Sequence, residues 1–147
     1  WPDNVWLGTT VELQTRADEL LTYLESIPAK VRFISAEPLL GPLNLKNWLG
    51  STIDWVITGG ESGPKARPAS PLWFRDLHAQ CMEREVAFHF KQWGDWAPGD
   101  GINLLTAKRT ATAKAADGTE MIRIGKKLAG RKLDGQEWDQ LPQRVAT

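Results

Sequence analysis

Four short apolar runs, each closed by glycine or a polar cluster, constrain this chain more than any other feature. They are Asn4 to Thr9, Val31 to Glu37, Asp54 to Glu61 and Val86 to Gln92. Each is rich in β-branched or aromatic residues and apolar at successive positions, so neither face is written for water. Strands that alternate apolar and polar residues can leave one face wet, whereas runs like these need cover, as in parallel sheets. Between the first two lies an amphipathic segment, 12–26. It places Leu13, Ala17, Leu20, Leu21 and Leu24 on one stripe, with Glu12, Arg16, Glu19 and Glu25 largely off it. Thr9 and Glu12 have capping-box spacing, and Pro28 follows its end. A second helix is predicted over 71–84, with Ser70 as N-cap, Pro71 in the first turn, and Trp73, Leu77 and Cys81 as its buried stripe. The crossover 38–53 is broken by Pro38, Gly41 and Pro42, with a short helix expected over 45–49.

Strand, helix, strand, crossover, strand, helix, strand is an α/β order that calls for right-handed parallel connections. The predicted fold is therefore half of a (β/α) TIM-like barrel over residues 1–94, with an open sheet as the alternative. Residues 95–147 form a carboxyl-terminal loop and capping extension. Within it 95–119 read as loop, 121–124 as a small strand, 125–135 as a basic, glycine-punctuated tail, and Trp138 with Pro142 as a docking segment.

Composition narrows the function classes. Lys plus Arg equals Asp plus Glu at 18 each, so no global field attracts nucleic acid or a membrane. One cysteine, Cys81, excludes an internal disulfide and any metal site built from cysteines of this sequence. No apolar run is long enough to span a membrane, and a cytoplasmic location is the default. A start without Met, just ahead of a strand, points to an internal fragment. Half a barrel would leave sheet edges bare, and a homodimer is one way to cover them.

Parallel sheets and barrels bind ligands beyond the carboxyl ends of their strands. Those ends carry Thr9, then Ser35 and Glu37, then Gly59, Gly60, Glu61 and Ser62, then Lys91, Gln92 and Trp93. Glu37 and Glu61 can act as an acid–base pair or as metal ligands, with Lys91 as partner or anion contact. The plainer reading pairs each glutamate with Lys91 or Arg67. The glycine turn 59–63 can present N–H groups to an anion, Arg67 can grip a carboxylate or phosphate, and Trp93 and Trp96 can stack a ring. His89 reads as a core or rim histidine and His78 as an exposed one. Lys126, Lys127, Arg131 and Lys132 form a basic cluster able to contact nucleic acid, although such clusters are usually solvated faces.

Several segments stand in an order that carries a resemblance: Asn4 to Glu12, Arg32 to Pro42, Asp54 to Pro64, Ala66 to Pro68, Phe88 to Gly94 and Gly125 to Gly135. Together they resemble the phage-associated family of unknown function named for gene products 37 and 68 of a phage. That family is similar to radical S-adenosylmethionine enzymes, and the resemblance implies a barrel whose amino-terminal half carries a cysteine triplet for a [4Fe–4S] cluster. No such triplet occurs here. The resemblance thus implies the substrate-side half of such an enzyme, inactive by itself. Any S-adenosylmethionine and cluster would belong to a longer parent, and the substrate would be a small molecule or nucleotide. Gly59-Gly60-Glu61 is similar to the triplet that holds the methionyl amine in those enzymes. It ends a late strand rather than an early one, so substrate or ribose contact is the expected role. The competing reading is a phage or mobile-element module that binds nucleic acid or a protein.

Overall fold

The computed structural model describes residues 1–101 and 111–143. Four parallel strands, β1 (Leu7–Thr10), β2 (Arg32–Ala36), β3 (Trp55–Gly59) and β4 (Ala87–Gln92), stand side by side in chain order. Their register is continuous from Thr9 opposite Ile34, to Ile34 opposite Val56, to Val56 opposite Phe88, and it shifts only between Thr58 and Gly59. The architecture is mixed α/β, as the punctuated apolar runs require.

Helix α1 (Gln14–Ser26) buries Ala17, Leu21 and Leu24. It starts two residues later than its periodicity suggests, and the capping box is not made. Thr9 is drawn into β1, and the Glu12 carbonyl accepts from the Leu40 N–H, so the backbone stays extended through Leu13. Helix α2 (Pro71–Glu83) buries Pro71, Phe74, Leu77, Gln80 and Cys81, the i, i+3, i+4 spacing of one helix face. Phe74 takes the place expected for Trp73, which is only partly buried. Full burial of one such ring is worth about 2–3 kcal/mol. The crossover makes one helical turn, Leu49 N–H to Leu45 C=O, instead of the short helix expected there.

These helices cover one face of the sheet. Against them lie Ile34, Ala36, Val56, Thr58, Phe88 and Phe90, each fully buried. The alternate residues Phe33, Ser35, Trp55, Ile57, Ala87 and His89 point the other way and are only half-buried. Among the described residues the sheet therefore has one packed face and one open face.

The segment predicted as loop over 95–119 holds more order than its composition suggests. Strands β5 (Trp96–Pro98), β6 (Ala111–Lys114) and β7 (Glu120–Arg123) form an antiparallel sheet in the order β5, β7, β6. Part of that predicted loop, 102–110, lies outside the described residues. Met121, Ile122 and Trp96 join the same core as the parallel sheet, so the extension packs on the first unit. A short helix α3 (Lys126–Ala129) and a hairpin of β8 (Lys132–Leu133) and β9 (Gln136–Glu137) follow. Asp134 and Gly135 turn that hairpin with φ of +52° and +79°, the backbone of a two-residue turn. Among the described residues no helix is long and apolar enough to cross a membrane.

Candidate functional site

Because the four strands run the same way, their carboxyl ends share one rim. Glu37 follows β2 and Glu61 follows β3 on that rim, yet the two carboxylates have different partners and different work.

Glu61 serves its own loop. Its carboxylate accepts from Arg67 Nε at 2.8 Å, Arg67 Nη2 at 3.0 Å and the Arg67 backbone N–H at 2.8 Å. The Arg67 hydrogen bond, opposed by partial burial, holds the Glu61 carboxyl below the usual carboxylate range. A two-pronged guanidinium with a backbone bond closes the loop 61–67 into a ring. Asp95 and Arg123 brace the same loop: Gly63 N–H donates to Asp95 Oδ2 at 3.2 Å, and Arg123 Nη2 donates to the Gly63 carbonyl at 2.7 Å. Nothing in the local sequence signals these braces, which come from segments about 30 and 60 residues away.

The Gly59-Gly60 turn is likewise occupied by protein. Gly60 N–H donates to the Gln92 carbonyl at 2.9 Å, and Asp95 N–H donates to the Glu61 carbonyl at 2.9 Å. A Cβ on Gly60 would lie 1.9 Å from the Trp93 carbonyl oxygen, and one on Gly94, where φ is +80°, would lie 2.1 Å from the Glu61 carbonyl oxygen. The two turns interlock backbone to backbone, which only glycine permits. The N–H groups of Gly60 and Gly63 are spent on this packing instead of facing a shared anion. Ser62 lies in the same braced loop.

Glu37 is placed differently. Its Oε2 accepts from Lys91 Nζ at 3.0 Å, so the carboxylate spans from the end of β2 to β4 across β3. Gly59 leaves the room: a Cβ there would stand 3.1 Å from Glu37 Oε1. The Lys91 side chain is 53% exposed and that of Glu37 19%, so the ammonium faces solvent while the carboxylate lies under it. Glu37 Oε1 is buried with no hydrogen-bond partner in the structure. By strand alternation Ser35 and Lys91 stand on the open face. Thr9, opposite Ile34, stands on the packed side. Gln92 sits at the bulge, its carbonyl engaged by Gly60.

Below this polar rim the open face is aromatic. Trp6 meets Trp55 edge-on at 5.9 Å, Phe33 lies 5.6 Å from Trp55, and His89 meets Trp55 at 6.2 Å. Trp55 Nε1 and His89 Nδ1 are buried there without hydrogen-bond partners. Burial, reinforced by nearby Arg131, lowers the His89 pKa and favours the neutral ring. The Phe33 ring lies over Gly8, where a Cβ would come within 2.3 Å of it.

The remaining candidates are accounted for by packing. Trp93, expected as a stacking platform, is buried against Phe74 and Phe90, and its Nε1 donates to the Lys132 carbonyl at 2.8 Å. Trp96 is buried and donates to the Ala66 carbonyl. His78, read as exposed, instead lies half-buried beneath Trp138, with ring centroids 4.0 Å apart. The sequence around His78 shows nothing of this, because its cover comes from the carboxyl-terminal segment. Burial of Cys81 pushes its thiol up to about 12. Lys126, Lys127 and Lys132 are exposed, whereas Arg131 pairs with Glu137 and Asp139 at 3.5 and 3.8 Å. Among the described residues no group of three or more His, Cys, Asp or Glu side chains is arranged to hold a metal ion.

Chemically, the rim offers one carboxylate with a spare acceptor, an exposed ammonium and a hydroxyl, above an aromatic floor. No curated protein and no solved structure matches the chain. A family model described as a protein of unknown function, DUF5131, matches residues 1–142. The chain therefore belongs to the DUF5131 family.

Proposed function

We propose that this chain is one wall of a (β/α)-type barrel enzyme whose substrate, a small polar molecule or nucleotide, binds over the open sheet face. The observation that carries the reading is the Glu37–Lys91 pair, held across Gly59 at the carboxyl ends of the strands and on the face that no helix covers among the described residues. Sequential parallel strand order, a half-buried aromatic face and unpartnered polar atoms on it are what a barrel interior would look like when seen from one wall. Glu37 is the acid–base or hydrogen-bonding centre, Lys91 the anion contact, and Ser35 a contact nearer β1. Glu61 and Arg67 position the loop that borders the site.

The motif resemblance to phage-associated, radical S-adenosylmethionine-like proteins supports assigning this wall to the substrate side of such an enzyme, working in the cytoplasm. The residues of this chain do not fit an iron–sulfur cluster: its one thiol is buried in α2 and stays protonated. Any cluster would have to be held by residues outside this sequence.

The test uses the full natural polypeptide that contains this sequence, reconstituted anaerobically with iron and sulfide. The expected result is a bound cluster and S-adenosylmethionine cleavage, with Glu37→Gln retaining the cluster while substrate turnover falls at least a hundredfold. Absence of both cluster and cleavage removes the radical-enzyme reading. Full turnover in the Glu37→Gln protein removes Glu37 from the centre.

A second reading rests on the shared exposure of Lys126, Lys127 and Lys132 at the edge of the extension. It predicts binding to short DNA or RNA that weakens steeply with salt and is lost when those lysines are neutralised. No binding at low salt refutes it.

A further inference from the structure

The sequence holds two histidines, and both lie against one segment of the carboxyl-terminal extension. Residues 138–140 run antiparallel along the outer edge of β4. Phe90 N–H donates to the Trp138 carbonyl at 2.9 Å, Gln140 N–H donates to the Phe88 carbonyl at 3.2 Å, and Phe88 N–H donates to Gln140 Oε1 at 3.0 Å. This pattern makes His89 and Asp139 the pair between two hydrogen bonds, with their side chains close together on the open face of the sheet. Trp138, one residue earlier, turns to the other face and meets the His78 ring of α2 with centroids 4.0 Å apart and planes at 49°. The segment straddles the edge, one residue over each histidine.

Each imidazole has one ring nitrogen shut away from water with no hydrogen-bond partner among the described residues: Nε2 of His78 and Nδ1 of His89. A neutral ring can leave that nitrogen as a bare lone pair. An imidazolium donates from both nitrogens and would bury a charged N–H without an acceptor, which is the costlier arrangement. The neighbouring charges do not offset this. Asp134, the carboxylate that acts on His78, is gripped by Arg75 at 2.7 Å, and the rings of Phe88 and Trp138 beside His78 offer no lone pair. Asp139 and Glu37 favour a charge on His89, but Arg131, 3.8 Å from Asp139, and Lys91, 3.0 Å from Glu37, oppose it. Burial is the largest influence on both rings and lowers both pKa values from 6.5. Attraction between an imidazolium and the tilted Trp138 indole acts the other way, yet it leaves the Nε2 proton without an acceptor.

We propose that residues 138–140 are a pH-sensitive clasp on the β4 edge, closed while His78 and His89 are neutral and released as they take up protons. Opening lets water reach both ring nitrogens, so the open state accepts protons that the closed state refuses. The clasp has its full hold above pH 6.5, where the free rings are also neutral, and weakens as the pH falls below that value. With one proton per ring, the closed-to-open ratio falls by at most about tenfold per pH unit for one histidine and about a hundredfold for both. Lys91 directly follows Phe90, so release frees the strand edge that carries the ammonium of the rim. The clasp stands on these contacts alone and does not depend on the enzyme reading.

Hydrogen exchange on the full natural polypeptide tests this at the Phe90 and Gln140 amides, between about pH 7.5 and about pH 5.5, with each rate corrected for intrinsic exchange at that pH. Carboxylates of ordinary pKa stay ionised across this range, which isolates the histidines. The expected result is protection that falls at least tenfold from the upper to the lower pH at these two amides while the amides of β2 and β3 keep theirs. His78→Gln and His89→Gln should each reduce the fall, and the double variant should abolish it. Protection indifferent to pH, or falling by the same factor throughout β2 and β3, overturns the inference, as does a fall that persists in the double variant. The imidazole NMR signals of the unaltered protein, assigned with the single variants, give a second readout that needs no stable double variant. Both rings should titrate below pH 6.5, and a ring that titrates at or above it overturns the clasp equally.

Discussion

Replacing Gly60 with alanine should be among the most damaging single-methyl changes in this protein. Its Cβ would sit 1.9 Å from the Trp93 carbonyl oxygen, and real Cβ atoms essentially never approach closer than 3.0 Å. The two backbones would have to separate by 3.0 − 1.9 = 1.1 Å, since the obstacle is a main-chain carbonyl with no rotamer to change. Such a shift stretches the Gly60-to-Gln92 and Asp95-to-Glu61 bonds, both 2.9 Å, beyond hydrogen-bonding range. Two backbone bonds at about 1 kcal/mol each, with overpacking strain of about 1–3 kcal/mol, give a loss of about 3–5 kcal/mol. Gly118→Ala is the matched control. It has φ of +84° but nothing within 4 Å, so only backbone strain of about 1 kcal/mol applies. Urea denaturation of the two variants, compared at equal m-value, reads the difference. If Gly60→Ala costs no more than Gly118→Ala, the two turns are not interlocked, and the placement of Glu37 and Glu61 derived from them fails.

Two further perturbations follow from the packing of the extension and of α2. Asp117, in the turn between β6 and β7, accepts from the Leu72 N–H at 3.3 Å and the Thr119 N–H at 3.0 Å, so it caps α2 from 45 residues away. Asp117→Ala should cost about 0.5–1 kcal/mol in thermal or urea unfolding. Partial desolvation raises the Asp117 pKa, but hydrogen bonds from the Thr119 N–H, the Ser70 and Thr119 hydroxyls and the Leu72 N–H outweigh it and bring it from 3.8 to about 2. Its contribution is therefore complete above pH 3.8 and disappears as the pH falls towards 2; an Asp117→Ala protein whose deficit stays constant across that window contradicts the cap. Cys81, with its thiol near 12, should resist iodoacetamide at pH 8 in the native protein and react promptly in urea, and rapid native alkylation followed by mass spectrometry would contradict its burial.

How far the sequence could be read depended on where the partner of each group lay. Residues 54–61 announced β3 because its neighbours are strands of the same character, so any parallel pairing satisfies it. The start of α1 was misplaced because its fate depends on Leu40, which holds Glu12 extended from another turn. The segment 95–119 reads as a loop because its strands are only three and four residues long and draw their apolar contacts from the first unit. One missed element did carry a local signal: Asp134-Gly135 is a strong two-residue hairpin turn.

The candidate site divides along the same line. Alternation of strands with helices determined, from the residues alone, that Glu37, Glu61 and Lys91 would share a rim, because parallel strands necessarily end together. It could not determine that Glu61 would be consumed by Arg67 while Glu37 kept an unpartnered oxygen, since both glutamates have the same local setting. That choice was made in three dimensions, by a backbone shift at Gly59, by two interlocked glycine turns, and by braces from Asp95 and Arg123. Periodicity reports what a residue's neighbours in the chain require of it. Side-chain partnership is decided by atoms within about 3 Å, which here come from segments dozens of residues away.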